Sequence, residues 1–271
     1  MNILSLDAPL VAISWQNLAS RVLGISLHWN EVLLLFLATW MAYAGDRLLD
    51  STQQAENKSG LPRHLFAVKY RRILAFVWGS VFLLTSILAI VTVDLSKLMV
   101  ASALVLGVAI YFLLCFLFPR LARIIIPREF VVSGVFVATA LFFPVSNPQG
   151  FTHLALITYL AIVLWSLAFM NCLGISCWER DEDHRAGERT LATTFPVLCR
   201  IYPGLNLVVA LWLGGLLAGS ELTALPIALV SGAFVSVLLL SLIHYAKISS
   251  RLKPVLADLS LLAPWISCLF L

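Results

Sequence analysis

Two groups of acidic residues stand out in this sequence because acidic residues are otherwise sparse. Asp46 and Asp50 close one long apolar stretch, and Glu179 and Asp183 close another, within WERDEDHRAGERT (178–190). Each pair is spaced i, i+4, which places its two carboxylates on one face if the helix continues through them. Like charges at that spacing repel, so we expect a cation to lie between the carboxylates.

Hard divalent cations suit such carboxylates. Magnesium typically takes one or two carboxylates and keeps waters and substrate phosphates in its remaining positions. Arginines can hold the rest of a diphosphate through charge-assisted hydrogen bonds. An isoprenyl diphosphate joins a charged head to a hydrocarbon tail, and it is the natural ligand for a charged rim on an apolar interior. The competing interpretation is that these acids are only solvated helix ends.

The predicted site divides into metal ligands and residues that bind the diphosphate. The predicted metal ligands, which are also the predicted catalytic residues, are Asp46, Asp50, Glu179 and Asp183. Arg72 and Arg128 are predicted to bind the substrate. We expect Mg²⁺ as the cofactor, an isoprenyl diphosphate as the substrate, and a lipophilic acceptor as a further partner.

The elements that must position these residues are set by composition. Hydrophobic residues make up 61% of the 271 residues and charged residues 12%, against about 45–50% and about 25% in soluble domains. The mean hydropathy is +0.97. We therefore expect one integral membrane domain over residues 1–271, surrounded by lipid and without a nucleic-acid partner.

Long apolar runs predict nine membrane-spanning helices, since continuous apolar runs favour helices over the alternating pattern of a barrel. The predicted spans are 8–27, 31–50, 70–93, 96–118, 128–145, 152–178, 195–218, 223–246 and 254–271. The predicted fold is an all-α bundle of nine helices around a central cavity.

The positions of the basic residues predict the orientation of these spans. All but Arg21 and Lys97 of the 18 Lys and Arg residues fall in loops on one side of the predicted bundle. The positive-inside rule makes that side cytoplasmic. Both acidic groups and the N-terminus then face the cytoplasm and the C-terminus does not, and we expect the cytoplasmic membrane of a prokaryote.

The two acidic segments resemble motifs of the UbiA family of intramembrane prenyltransferases. That family has nine transmembrane helices, a motif N-D-x-x-D-x-x-x-D that ends helix 2, and a motif D-x-x-x-D that ends helix 6. AYAGDRLLD (42–50) is similar to the end of the first motif, and ERDEDHRAGERTLATTFP (179–196) to the second with its continuation. The resemblance implies that Glu179 and Asp183 take metal-ligand positions, and that Arg123 stands where members often carry a diphosphate-binding lysine.

The first motif departs from the family pattern at its opening. Ala42 and Tyr43 stand where the family has Asn-Asp, so one expected polar ligand to magnesium is missing. Three alternatives stay open: fewer metal ions, a ligand drawn from Tyr43 or Asn171, or loss of catalysis. Tyr43, Asn171 and Arg123 are therefore counted among the predicted substrate-binding residues.

The resemblance implies an electrostatic mechanism. Magnesium and arginines would stabilise the charge that develops on the leaving diphosphate, and aromatic faces would stabilise the allylic carbocation. The aromatic candidates are Trp40, Tyr43, Trp165, Phe169 and Trp178. A lipophilic acceptor would give prenyl transfer, whereas an internal double bond would give cyclisation, as in the UbiA-like terpene cyclases.

Two alternatives lie outside enzyme chemistry. One is a noncatalytic relative that keeps the fold to bind lipid. The other is a transporter, which the scarcity of charges inside the spans and the absence of paired Gly/Pro-interrupted segments disfavour.

Overall fold

The computed structural model describes residues 6–53, 69–117, 127–147, 153–186, 190–219, 224–250 and 252–270. Within these ranges the chain is helical and contains no strand. A helix satisfies its own backbone hydrogen bonds, which is what a long apolar run requires where water is scarce. The predicted all-α fold is confirmed for this part of the chain.

The helices follow the predicted apolar runs closely, with the main differences after residue 178 and at the last run. In chain order they are α1 (Asp7–Leu23), α2 (Trp29–Gln53), α3 (Arg71–Thr92), α4 (Leu95–Leu117), α5 (Arg128–Ser146), α6 (Leu154–Ala186), α7 (Leu191–Thr194), α8 (Val197–Gly219), α9 (Ala224–Tyr245), α10 (Lys253–Ser260) and α11 (Ala263–Ser267), and a 3₁₀ turn (Cys268–Phe270) follows α11.

Six segments of the described chain are long and apolar enough to cross a membrane. They are Arg71–Thr92, Arg128–Ser146, Leu154–Arg185, Val197–Ala218, Ala224–Tyr245 and Lys253–Phe270. The remaining predicted spans are also helical, as α1, α2 and α4, but they do not meet both conditions over their described residues. Several long apolar helices are compatible with a multi-pass membrane protein, and the count of nine passes stays a prediction.

α5 runs antiparallel to both α2 and α6, as contacts at the helix ends show. Asp46, near the end of α2, pairs with Arg128 at the start of α5. Ser176, near the end of α6, donates to Glu129, also at the start of α5. The ends of α2 and α6 therefore both contact the first turn of α5, although about 130 residues of chain separate Asp46 from Ser176.

The first and last helical segments run side by side in the same direction. The indole Nε1 of Trp15 in α1 donates to the carbonyl of Leu261 over 2.8 Å. One turn and a half further along α1, Nη1 of Arg21 donates to the carbonyl of Cys268 over 3.1 Å. The charge inside the first predicted span thus has a partner, because Arg21 satisfies a carbonyl at the end of the chain.

The last apolar run is a broken helix, where the sequence predicts a continuous span over 254–271. The break between α10 and α11 leaves backbone carbonyls without helical partners, and such carbonyls need donors in an apolar setting. Ser236 of α9 donates to the carbonyl of Ser260 over 2.7 Å, and Trp15 of α1 donates to the carbonyl of Leu261 over 2.8 Å. Neighbouring side chains thus make the break tolerable.

The helices differ in burial. Trp15 and Leu18 of α1 and Leu160 and Leu164 of α6 are completely buried, so these two helices lie in the core. In α3, by contrast, Thr85 is the one residue recorded as buried. α3 attaches to α2 through Trp78, whose Nε1 donates to the carbonyl of Met41 over 2.9 Å. α3 therefore presents an apolar, exposed surface, which is typical of a helix that faces lipid.

Candidate functional site

Both acidic pairs lie on continuous helix. α2 runs through Asp46 and Asp50 to Gln53, and α6 runs through Glu179 and Asp183 to Ala186. Each pair therefore keeps its i, i+4 spacing on one helical face. The side chain of Asp50 lies outside the described side chains, so its direction is not part of the site's geometry.

The first turn of α5 connects the two acidic helix ends through two adjacent residues. Nη2 of Arg128 lies 3.0 Å from Oδ2 of Asp46, in an ion pair whose two side chains remain 44% and 35% exposed. Oε1 of Glu129 accepts from Ser176 Oγ and from the Leu191 amide, both over 2.8 Å. One cationic and one anionic side chain thus fix α5 against α2 on one side and against α6 and α7 on the other.

Glu129 is held deeply. Only 3% of the residue is exposed, and its second oxygen, Oε2, has no hydrogen-bond partner. Leu191, whose amide donates to Glu129, is the first residue of α7. The first amides of a helix have no acceptor within the helix and need one from outside. Thr190 and Thr193 form a capping box at the same helix start. Glu129 therefore positions the segment that continues the second acidic motif.

The acids of the two motifs differ in burial. Glu179 is 8% exposed, whereas Asp183 is half-buried and Asp46 remains open to its surroundings. No group of three or more His, Cys, Asp or Glu side chains is spaced to hold a metal within the described residues. The donors of the two motifs are nevertheless hard carboxylate oxygens, and magnesium needs only one or two of them when a phosphate supplies the rest.

The other predicted substrate-binding residues divide into three settings. Arg72 is exposed at the start of α3. Arg123 lies outside the described residues. Tyr43 and Asn171 line a cavity of about 20 Å³ together with Cys172 and Asp258. That volume accommodates roughly one water molecule, so it does not hold an isoprenyl chain.

Two acids that the sequence analysis did not single out lie at or beside this cavity. Asp258 of α10 lines it and accepts from Nδ2 of Asn171 over 2.9 Å. Asp7, in the first turn of α1, is 6% exposed and precedes Ala8, which also lines the cavity. The sequence did contain a signal for Asp258, because it is a single acid within the apolar run 254–271. An acid inside a membrane segment indicates a functional position.

The aromatic candidates form two separate clusters. Trp165 and Phe169 of α6 pack against Phe130 of α5, with ring centroids 5.5 Å and 4.6 Å from that of Phe130. Phe130 follows Arg128 by two residues on α5, a spacing that directs the two side chains to different faces of the helix. Phe130 had no role in the sequence analysis, although it follows Arg128 and Glu129 directly.

Trp178 belongs to the second cluster, near the ends of α6 and α9. Its Nε1 donates to Nδ1 of His244 over 3.2 Å, and its ring lies edge-on to Tyr202 with centroids 6.2 Å apart. Nζ of Lys253 lies 5.8 Å from the centroid of the Trp178 ring and donates to the carbonyl of His244. The contacts with His244, Tyr202 and Lys253 therefore fix the position of the Trp178 ring. Trp40, the remaining aromatic candidate, is half-buried in α2.

Comparison with known proteins returns no relative, because no family model, curated protein or solved structure matches the chain. The likeness to the UbiA family therefore rests on the two acidic segments alone.

Proposed function

We propose that the protein is a membrane-embedded, magnesium-dependent enzyme that ionises an isoprenyl diphosphate and transfers the prenyl group to a lipophilic acceptor. The observation that carries the proposal is the first turn of α5, where Arg128 pairs with Asp46 and Glu129 binds the chain on both sides of the second acidic motif. A diphosphate site needs acids and a base from distant parts of the chain at one place, and this turn supplies that arrangement.

In the proposed site, Asp46, Asp50, Glu179 and Asp183 hold magnesium. The metal supplies Lewis-acid stabilisation of the negative charge on the diphosphate. Arg128 is 44% exposed at its side chain and can exchange Asp46 for a phosphate oxygen without first leaving a buried pocket. Arg72 and Arg123 supply further positive charge, and Glu129 positions the second motif.

The aromatic cluster of Phe130, Trp165 and Phe169 supports the second half of the reaction. Its three rings pack against one another on α5 and α6, the helices that also carry Arg128 and the second acidic motif. Aromatic faces attract a cation most strongly where water is excluded. A lipophilic acceptor in the same place gives prenyl transfer, and capture by an internal double bond gives a terpene cyclase, which is the alternative reaction at this site.

We further propose nine membrane passes, with both acidic motifs on the cytoplasmic side of a prokaryotic membrane. The parallel arrangement of α1 and the last segment supports an odd number of passes, since alternating helices return to the same direction only after an even number of steps. The distribution of Lys and Arg supports the cytoplasmic side.

A noncatalytic lipid-binding relative is the second candidate, and two observations favour it. The cavity beside Tyr43 and Asn171 has room for about one water molecule, so an isoprenyl chain requires the surrounding helices to separate. Ala42 and Tyr43 also stand where the UbiA motif has Asn-Asp, so that one expected polar ligand to magnesium is missing.

The test is diphosphate release by the purified full-length chain in detergent, with magnesium and a panel of isoprenyl diphosphates of different chain lengths. The proposal predicts magnesium-dependent release that requires a lipophilic acceptor. Release of diphosphate with a cyclic product and without an acceptor identifies a cyclase. If no chain length gives release, and an unreactive diphosphate analogue with magnesium does not raise the unfolding temperature, the enzyme proposal is wrong.

A further inference from the structure

A hydrogen bond joins Trp178 of α6 to the end of α9, just before the second acidic motif begins at Glu179. Nε1 of Trp178 donates to Nδ1 of His244 over 3.2 Å. An indole N–H can only donate, so Nδ1 of His244 accepts and carries no proton. In the structure His244 is therefore the neutral imidazole.

A proton on His244 removes the acceptor from this hydrogen bond. Both ring nitrogens of a protonated histidine are donors, so two N–H groups would face each other across the same 3.2 Å. The residue is only half-buried, and histidine is the side chain that ordinarily changes charge between about pH 5 and pH 8. Mild acidification therefore breaks the contact between Trp178 and His244.

Lys253 of α10 opposes the same proton by its charge. Its Nζ donates to the carbonyl oxygen of His244 over 2.9 Å and lies 5.8 Å from the centroid of the Trp178 ring. α9 ends one residue after His244, so this carbonyl is one of the terminal carbonyls that need a donor from outside the helix. The ammonium group is thus fixed beside the imidazole, and a second positive charge there is repelled.

The other groups that face the imidazole do not change charge in this range. The ring centroids of Tyr202 in α8 and of Tyr245, the last residue of α9, each lie 5.3 Å from that of His244. Phenol and ammonium groups keep their protons between about pH 5 and pH 8. α6 faces the imidazole with Trp178, which does not titrate.

The titratable groups of the remaining helices that pack on α9 lie elsewhere. α11 carries no titratable side chain, and Cys268 after it contacts the carbonyl of Leu225 at the start of α9. Asp258 of α10 is bonded to Asn171 at the small cavity, with Asp7 of α1 beside that cavity. Among the described contacts, a change of charge in this range therefore belongs to the imidazole of α9.

We propose that the Trp178–His244 hydrogen bond is a pH-dependent latch on the end of α6, closed while His244 is neutral and open once it takes up a proton. The opening is local, because the hydroxyl of Tyr202 still donates over 3.2 Å to the carbonyl of Met170, about two turns earlier in α6. Glu179 follows Trp178 directly, so the latch controls the position of the second acidic motif. That consequence rests on the proposed function, whereas the latch itself does not.

The test follows the indole N–H resonances of the full-length chain, labelled at tryptophan nitrogen, in detergent from about pH 8 to about pH 5, without magnesium or diphosphate. Trp178→Phe identifies the resonance of Trp178, which should shift along one titration curve in the unmodified protein. His244→Gln should abolish the shift, because the glutamine oxygen still accepts from the indole but does not titrate. His28→Gln is the matched control, since His28 is an exposed histidine between α1 and α2, and it should leave the shift unchanged.

The unfolding temperature is the second measurement, and it decides the question if one of the two latch variants does not fold. The unfolded chain takes up the proton on His244 without losing a hydrogen bond, so acidification favours unfolding of the unmodified protein. The fall in unfolding temperature between about pH 8 and pH 5 should be smaller in whichever of His244→Gln and Trp178→Phe folds.

The latch is overturned by any one of three results. The Trp178 resonance does not titrate, its titration persists in His244→Gln, or a folded latch variant loses as much stability on acidification as the unmodified protein. Because these assays contain neither magnesium nor diphosphate, their failure leaves the proposed prenyl transfer untouched. A lack of diphosphate release would likewise leave the latch untouched.

Discussion

Arg128 is the residue on which the proposed chemistry depends most. Its ion pair with Asp46 has both side chains partly exposed, and exposed ion pairs contribute only about 0–1 kcal/mol to stability. The ion pair therefore contributes little to the stability of the fold, and we expect its main role to be in ligand binding. Its position beside Glu129 also means that one helix turn serves both acidic motifs.

Arg128→Gln should separate these roles. We expect little change in unfolding temperature, and a loss of about 1.5–3 kcal/mol in binding of an unreactive isoprenyl diphosphate analogue, which is the contribution of hydrogen bonds to a charged group. The measurement is analogue affinity in detergent with magnesium present. Arg185→Gln is the control, since Arg185 is an exposed arginine of α6 that donates to the carbonyl of Asp181. Equal analogue affinity in both variants would contradict a role for Arg128.

Glu129 should matter for structure first. In Glu129→Gln the amide oxygen still accepts from Ser176 and Leu191, whereas Glu129→Leu leaves both donors unpaired in a buried place. We expect Glu129→Leu to lower the free energy of unfolding by about 1–3 kcal/mol more than Glu129→Gln. Thermal unfolding in detergent measures the difference. Equal stability of the two variants would show that these hydrogen bonds do not hold α7 in place.

The sequence indicated some of these residues and missed others for a physical reason. Asp46 and Asp50 repeat at a helical spacing, and so do Glu179 and Asp183, so their pattern is visible along the chain. Asp7 and Asp258 have no such pattern, because they lie 251 residues apart and meet only when α1 packs against α10. A contact of that kind follows from packing and not from spacing.

At the scale of elements, the broken last segment is the main departure from expectation. Hydropathy predicts one continuous span, because it averages over residues and does not register where backbone hydrogen bonds stop. Lys253–Phe270 is still apolar enough to cross a membrane as a whole. Pro254 and Pro264 stand at the starts of α10 and α11, where a proline fits a helix best. Those prolines were the available signal for two short helices.

Gly232 of α9 allows α11 to pack closely against α9. A Cβ atom there would lie 2.5 Å from Cα of Pro264 and 2.6 Å from the carbonyl oxygen of Ala263, and neither backbone atom can move aside easily. Gly232→Ala should therefore destabilise the protein by about 1–3 kcal/mol, as overpacking does. Thermal unfolding in detergent is the measurement.

Gly214→Ala provides the matched control in α8. A Cβ at Gly214 meets nothing within 4 Å, and alanine is the better helix former by roughly 0.5–1 kcal/mol. We expect this variant to be as stable as the unmodified protein or slightly more stable. If Gly232→Ala behaves in the same way, the close packing of α9 on α11 is wrong.

For the whole molecule, the contacts between helix ends agree with the alternation that the charge map predicts. Lys97, the one cation in the loops of the predicted outer side, pairs with Glu31 at 3.1 Å, and these residues lie at the starts of α4 and α2. Arg128, by contrast, lies at the start of α5 among the acidic motifs. The positions of the helices were easier to predict than the cavity, because hydropathy indicates where helices lie and not how tightly they pack.

Reporter fusions test the orientation directly. Alkaline phosphatase joined after Asp94 should be active in a bacterial host, and the same enzyme joined after Ser249 should be inactive, because Asp94 and Ser249 fall on opposite predicted sides. A fluorescent protein that matures only in the cytoplasm should give the reverse result. The same activity at both positions would contradict the nine-pass arrangement.

The central claim is that the two acidic motifs act together on a diphosphate. The most direct measurement is magnesium-dependent diphosphate release by the unmodified protein, Asp46→Ala and Asp183→Ala, each checked for folding by its elution from a size-exclusion column. The proposal predicts release by the unmodified protein and its loss in each variant, since either substitution removes a metal ligand. Release that survives both substitutions would contradict it.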